Sequence, residues 1–425
     1  MTRYFNMNVL SLFCGTRAII RTSILITEEV NTMLNWYQLA HDKEKTMIQL
    51  RRHLHQYPEL SFEEHNTHDY IVNQLEQLDC TIRRPVGKNG IVATFKGQGE
   101  GPTVALRADF DALPITELND KPYRSKNEGC MHACGHDGHT AILLGVAQII
   151  NEHLAHLKGN VVLIFQYGEE IVPGGAQQMI DDGALEGVDS VYGNHLWSGY
   201  PTGIIYSRPG AMMASPDEFT VTIQGQGGHG AKPHETIDPI VILAEFILSA
   251  QKIVSRTVDP IKQAVATFGM IQAGSSDSVI PDSAMCRGTV RTFDSELQTH
   301  IMNKLDKLLQ GLALANDIEY TMDYERGYVP VHNNEQAYET VKQAAHDMNL
   351  RFTEADMMMV GEDFSAYQRV RPGAFFLTGC GNAQKGTDYP HHNPYFDIDE
   401  AALKYAAAEF LKILELENVL SSERL

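Results

Sequence analysis

Apolar residues recur at helical spacing soon after Trp36: Leu39, Met47, Leu50 and Leu54 can share one face, and the pattern stops ahead of Pro58. That periodicity predicts a helix packed by its stripe, and residues 70–78 predict a second. The period then changes. Residues 91–95 and 103–106 are short apolar runs separated by the glycine-rich turn GQGEGP, which reads as a pair of strands. Residues 141–150 are an apolar helical stretch, and residues 161–166 (VVLIFQ) are the β-branched and aromatic run of a strand buried on both faces. Residues 190–194 predict a further strand that delivers His195 at its end. Helices and strands in this order predict an α/β core, a central sheet flanked by helices.

From about residue 214 the organisation differs. Strand-like EFTVTIQGQ is followed by a helix at 238–254, strands at 264–271 and 284–292, a helix at 295–314 and a strand at 318–324. Strand, helix, strand, strand, helix, strand is the order of a ferredoxin-like α+β sandwich. Residues 214–328 are therefore expected to be an inserted domain, with residues 34–213 and 329–425 forming the main one. The main part resumes with a helix at 335–349, a strand at 373–379 and a C-terminal helix from near residue 399. Residues 1–33 match neither pattern: Arg17 and Arg21 interrupt the apolar run before it could span a bilayer, and the stretch reads as a poorly ordered extension.

Composition narrows the partners. Asp plus Glu outnumber Lys plus Arg by 54 to 34, a formal charge of -20, which argues against sequence-independent binding to nucleic acid or to anionic lipid. A small molecule is the expected partner. Six cysteines scattered over 425 residues fit reduced thiols in a cytoplasmic enzyme better than a disulfide framework.

The densest chemistry lies in residues 131–140, MHACGHDGHT, where His132, Cys134, His136, Asp137 and His139 supply sulfur, nitrogen and oxygen donors to a first-row divalent metal. No second pair of ligands follows at zinc-finger spacing, so the remaining donors must come from distant parts of the chain, as in a catalytic site. Three predicted strands end near such donors: Asp109 and Asp111 after the strand at 103–106, Glu169 and Glu170 after the strand at 161–166, and His195. In a pair of adjacent carboxylates, one can coordinate while its neighbour takes a proton from water. The same residues also admit a plainer reading, as turn formers and a solvated acidic loop.

The motifs RRHLHQYPELS, LRADFDALP, MHACGHDGHT, YGEE, GNHLW, GGHGAKPH, VIPDSAMCRGTVRTF, GEDFS and HHNPYFDID follow one another in the order found in the M20 metallopeptidase and amidohydrolase family. The chain most resembles its subgroup of hippurate hydrolases, indole-acetyl-amino-acid hydrolases and N-acyl-amino-acid amidohydrolases. That resemblance implies a zinc-exopeptidase-like catalytic domain with an inserted lid and dimerisation domain, a homodimer, and two divalent ions, manganese or zinc, with cobalt or nickel also accommodated. It implies Cys134, His136, Glu170, His195 and His392 (rather than His391) as ligands, Cys134 bridging, with Glu169 as general base and acid and Asp111 orienting a ligand. His229 corresponds to a lid histidine that reaches a neighbouring subunit's site, and Arg291 to a group that would bind a substrate carboxylate or else form a strand-end salt bridge. The chain departs from the resemblance at Ser278, where an asparagine is expected ahead of Val279. The implied reaction is hydrolysis of the amide bond of N-acyl amino acids; the alternatives are a dipeptidase or aminopeptidase of the same fold, and a catalytically silent binding protein retaining it.

Overall fold

The computed structural model describes residues 33–423, so the expected extension lies outside the described residues except for Met33. An eight-stranded mixed sheet runs in the order Thr81–Val86, Gly90–Phe95, Asn160–Gln166, Thr103–Asp109, Ser190–Pro201, Gly373–Gly381, Ile204–Ser207, Arg351–Glu354. Its four central strands are mutually parallel. Their side chains are buried almost without alternation, because helices cover both faces of such a sheet. Helix His136–Glu152 packs on strands Thr103–Asp109 and Ser190–Pro201, and helices Glu44–Gln56 and Ala402–Leu416 pack on it in turn. Enclosure on all sides explains why its sequence is apolar around the whole circumference.

Several expected elements changed their bounds. The first helix is broken at Lys43 into Trp36–Asp42 and Glu44–Gln56, Lys43 serving as the C-cap of one and the N-cap of the next. The second begins earlier, at His65, and ends at Leu75. The strand expected to stop before His195 continues to Pro201, since the parallel strand Gly373–Gly381 pairs with it along its length. His195 therefore lies within a strand rather than at its tip.

The second unit comprises strand Ser215–Gln224, helix Pro239–Thr257, strands Ala264–Ala273 and Ser283–Thr292, helix Ser295–Asn316 and strand Glu319–Glu325. The sheet order, 264–273, 283–292, 215–224, 319–325, with antiparallel neighbours throughout, is that of a ferredoxin-like sandwich. Asp238 and Asp294 cap the two helices through their carboxylates. Phe219, Val221, Phe246, Ile301 and Leu305 are at most 2% exposed in a core separate from that of the large sheet. Each such side chain contributes roughly 1.5–3 kcal/mol.

One group in the large core is out of place. Glu409, on helix Ala402–Leu416, is 0% exposed and neither carboxylate oxygen has a hydrogen-bond partner. Burial pushes its carboxyl well above the usual range, so it carries a proton at neutral pH. An unfolded glutamate titrates near about 4.3, so unfolding at neutral pH releases that proton. Stability is full below the unfolded value and falls as pH rises towards and through the folded one, by about 1.4 kcal/mol per pH unit for one proton. Glu409→Met should remove this share of the slope and raise stability at neutral pH. Urea denaturation at about pH 5 and about pH 8 checks it: equal pH slopes in both proteins would refute the assignment.

Candidate metal centre

The site forms beyond the carboxyl ends of the parallel strands, where α/β sheets commonly place ligands. Strand Thr103–Asp109 leads into Asp111, strand Asn160–Gln166 leads through a turn into Glu169 and Glu170, and strand Ser190–Pro201 carries His195. Gly135 stands before helix His136–Glu152 at φ 100°, a left-handed conformation that favours glycine, and this lets Cys134 turn away from the helix that His136 begins. The helix then sorts its first turn by period. His136, His139 and Thr140 face the strand ending at Asp109, whereas Asp137 turns to Arg51 and His55. His392 is itself left-handed (φ 63°), its N–H donating to the Ala133 carbonyl at 2.8 Å.

Donor atoms converge in overlapping groups. Cys134, His136 and His195 form one, Cys134, Glu170 and His392 a second, and His136, Glu169 and Glu170 a third; within each, the donor atoms lie within 4.8 Å of one another. Cys134 Sγ is 3.5 Å from His195 Nε2, and Glu170 is 3.8 Å from His136 Nε2 and 3.4 Å from His392 Nε2. Metal bonds of about 2.0–2.3 Å set neighbouring ligands at about such separations. The far nitrogen of each inner histidine is held: His136 Nδ1 lies 3.1 Å from Asp111 Oδ1, and His195 Nδ1 lies 2.7 Å from the Leu196 carbonyl. His136 Nε2 and Glu170 Oε1 are buried with no hydrogen-bond partner. Buried polar atoms left without protein partners, aimed at one point by anchored rings, fit a cation.

Burial lowers His136, but Asp109, Asp111 and Glu170 outweigh it and raise the imidazole to about 10, so a cation arriving there must displace a proton. Burial, then the charges of Glu362, Glu170, Asp363 and Asp111, hold the Glu169 carboxyl well above the usual range. Burial, then Glu170 and Glu169, push the Cys134 thiol up as well. Burial and the neighbouring His139 and His391 hold His195 well below the ordinary histidine value, leaving it neutral and able to ligate. Beneath the site Arg107 is fully buried and donates to Gln166 Oε1 (2.9 Å), Asp109 Oδ2 (2.6 Å) and Asp363 Oδ1 (2.8 Å), with Glu362 at 3.2 Å. Asp109 in turn meets His139 Nδ1 at 2.6 Å, while His139 Nε2 accepts the Leu196 N–H at 2.8 Å, which pins the strand next to His195.

A cavity of about 500 Å³ opens over these groups, bounded by Trp197, Met213, Met359 and Val360, with Arg291 and Glu362 also on its wall. Arg291 donates to the carbonyls of Asp217 (3.2 Å) and Val290 (3.3 Å), and makes no ion pair among the described residues. His229 does not reach this cavity. It is exposed on the short strand Gly228–His229, paired with Val279–Ile280. The Ser278 carbonyl beside that pair accepts the Gly230 N–H at 2.8 Å. His391, set aside in favour of its neighbour, also faces the cavity: its Nδ1 is 3.8 Å from Cys134 Sγ, and its Nε2 accepts the Ser198 N–H at 3.3 Å. Sequence reasoning missed Glu362 and Tyr328, whose hydroxyl donates to the Glu169 carbonyl at 2.6 Å. The acid pair in GEDFS was the available signal for Glu362; nothing local marks Tyr328.

A mixed sheet whose central parallel strands present thiol, imidazole and carboxylate donors around a cavity, with Arg291 of a separate α+β unit on its wall, defines a metallohydrolase architecture. The chain belongs to peptidase family M20/M25/M40, whose profile matches residues 105–416. It is 41% identical over 360 residues to N-acetyl-L-cysteine deacetylase of Bacillus subtilis, covering 85% of each chain. It is 43% identical over 300 residues to N-acyl-L-amino acid amidohydrolase of Geobacillus stearothermophilus, covering 70% of this chain and 81% of that one. Among solved structures it is similar to the Bacillus subtilis YXEP protein, described as a dinuclear metal binding peptidase from the M20 family, with TM-score 0.77, 35% identity and coverage of 89% and 100%.

Proposed function

We propose that the protein hydrolyses the amide bond of N-acyl amino acids, releasing a carboxylate and a free amino acid, at a centre of two divalent ions held by Cys134, His136, Glu170, His195 and His392. The observation that carries this reading is that two donor triads share Cys134 beside Glu169, a carboxylate crowded by other acids at the floor of an open cavity. The relatives' names support the amide class. Divalent cations held there, manganese or zinc on the donor set, with cobalt or nickel also fitting, would supply the positive charge that lets Glu169 ionise, and would acidify water and polarise a carbonyl.

The chain's own groups do the rest. Glu169 accepts a proton from the attacking water and returns it to the leaving amine. Asp111 keeps His136 oriented through Nδ1. Met213, Met359, Val360 and Trp197 offer an apolar wall to the acyl or side-chain group, and Arg291 a guanidinium to the substrate carboxylate. Arg291→Ala should raise KM about tenfold or more while moving kcat less, because it removes binding common to ground and transition states. A fall in kcat with unchanged KM would count against that role.

The second unit acts in this reading as a lid and as the homodimer contact. Support comes from one of its two edge strands, Ala264–Ala273, which leaves Val265, Met270 and Ile271 exposed, and from His229, exposed and outside its own cavity, where it could polarise a carbonyl in a second copy. No helix among the described residues is long and apolar enough to cross a membrane, and a cytoplasmic location is consistent with the unpaired cysteines among them. The deciding experiment follows amine release from N-acetyl amino acids, hippurate and dipeptides after loading the protein with manganese or zinc. Dipeptide cleavage with N-acyl substrates untouched would replace the proposal with a dipeptidase; no turnover with metal bound would replace it with a silent binding protein.

A further inference from the structure

Where the two units join, residues 326–330 link strand Glu319–Glu325 to strand Val331–Asn333. Two clefts of about 150 and 600 Å³ lie along this segment and share Arg326, Gly327, Val329 and Arg369 as walls. The larger has no acidic residue in its lining, against the grain of a chain with net charge -20. Neither guanidinium forms an ion pair among the described residues. Arg326 is instead oriented by a neutral acceptor, donating to Gln298 Oε1 at 2.7 Å, and Gln298 is anchored by Asp217. Ser365 also borders the smaller cleft; the residue is 1% exposed and its buried hydroxyl has no hydrogen-bond partner. The acid there, Asp363, is already engaged by Arg107, Gln166 and the Ala176 N–H.

We infer that this junction is an oxyanion site, taking a carboxylate or a phosphate between Arg326 and Arg369 with the Ser365 hydroxyl as a further donor. Guanidinium forks match planar and tetrahedral oxyanions, and two of them without carboxylate partners leave their positive charge to be met by a ligand. The site has a route to the reaction. Arg326 follows the last strand of the lid unit, Arg369 belongs to helix Ser365–Val370 of the large one, and Tyr328 between them holds the Glu169 carbonyl. An anion that grips both arginines fixes one setting of the two units, and so of Arg291 relative to Glu169, which is how it would alter turnover.

The test titrates inorganic phosphate and, separately, succinate into the metal-loaded enzyme by calorimetry at constant ionic strength. Saturable binding of at least one is expected, and which one identifies the source of the anion. Arg326→Ala and Arg369→Ala should each weaken it about tenfold or more, with Arg369→Lys losing less. Both arginines are exposed, so circular dichroism should report an unchanged fold. The inference is overturned if neither anion binds saturably, or if binding persists unaltered in both alanine variants, which would locate it at the metal centre. This readout is independent of amide hydrolysis, so its failure would leave the proposed reaction standing.

Discussion

Glu169→Gln should lower kcat about 10²–10⁴-fold on an N-acyl amino acid while the full complement of metal stays bound. The amide keeps the volume and the Tyr328 contact, which is to the Glu169 main-chain carbonyl and not to the side chain. It removes only the capacity to take and return a proton. Glu170→Gln should do the converse: Glu170 meets His136 Nε2 at 3.8 Å and His392 Nε2 at 3.4 Å, so weakening it as a ligand should release metal before it affects the chemistry. Metal content by atomic spectroscopy beside single-turnover kinetics separates the two. Near-normal turnover in Glu169→Gln together with lost metal would exchange the roles of the neighbouring glutamates.

The largest effect on stability is expected at Arg107. Its guanidinium, 0% exposed at the side chain, faces Asp109, Glu362 and Asp363, each of them almost wholly buried, and Asp109 also neighbours His136 and His139. Even with it in place, burial holds Glu362 up at about 8 and Asp363 at about 6, the arginine acting in the opposite direction. Arg107→Met removes the guanidinium that Glu362 and Asp363 share, the kind of change that costs about 3–5 kcal/mol when one partner of a buried pair is removed. Arg107→Lys should recover only part, since a single ammonium cannot reach Gln166, Asp109 and Asp363 together. Denaturant unfolding at neutral pH measures this directly, and a loss below about 1 kcal/mol in Arg107→Met would mean that the acids are neutralised some other way.

Local patterning carried much of this protein. The apolar run at 161–166, short, β-branched and aromatic, read as a strand covered on both faces, and the order of strands and helices after residue 214 read as a small α+β sandwich, and both elements formed. Donor types were legible as well: a cysteine and several histidines within ten residues, and paired acids after a strand, are statements about side-chain chemistry that precede any fold.

Tertiary structure decided which donors meet. Five metal-competent side chains crowd residues 131–140, yet helical rotation sends Asp137 to Arg51 and His55 and pairs His139 with Asp109, while Cys134 lines the cavity and His136 joins the donor groups beneath it. His195 was expected at a strand end and lies within a longer strand, because a distant strand, Gly373–Gly381, extends its pairing. His391 and His392 are adjacent in the chain, and the left-handed turn at His392 brings both towards Cys134 by different routes. Composition and period reveal what each segment is made of and which face it buries; the meeting of Cys134, Glu170 and His392 depends on how distant segments close around a common core, and that information is held by packing.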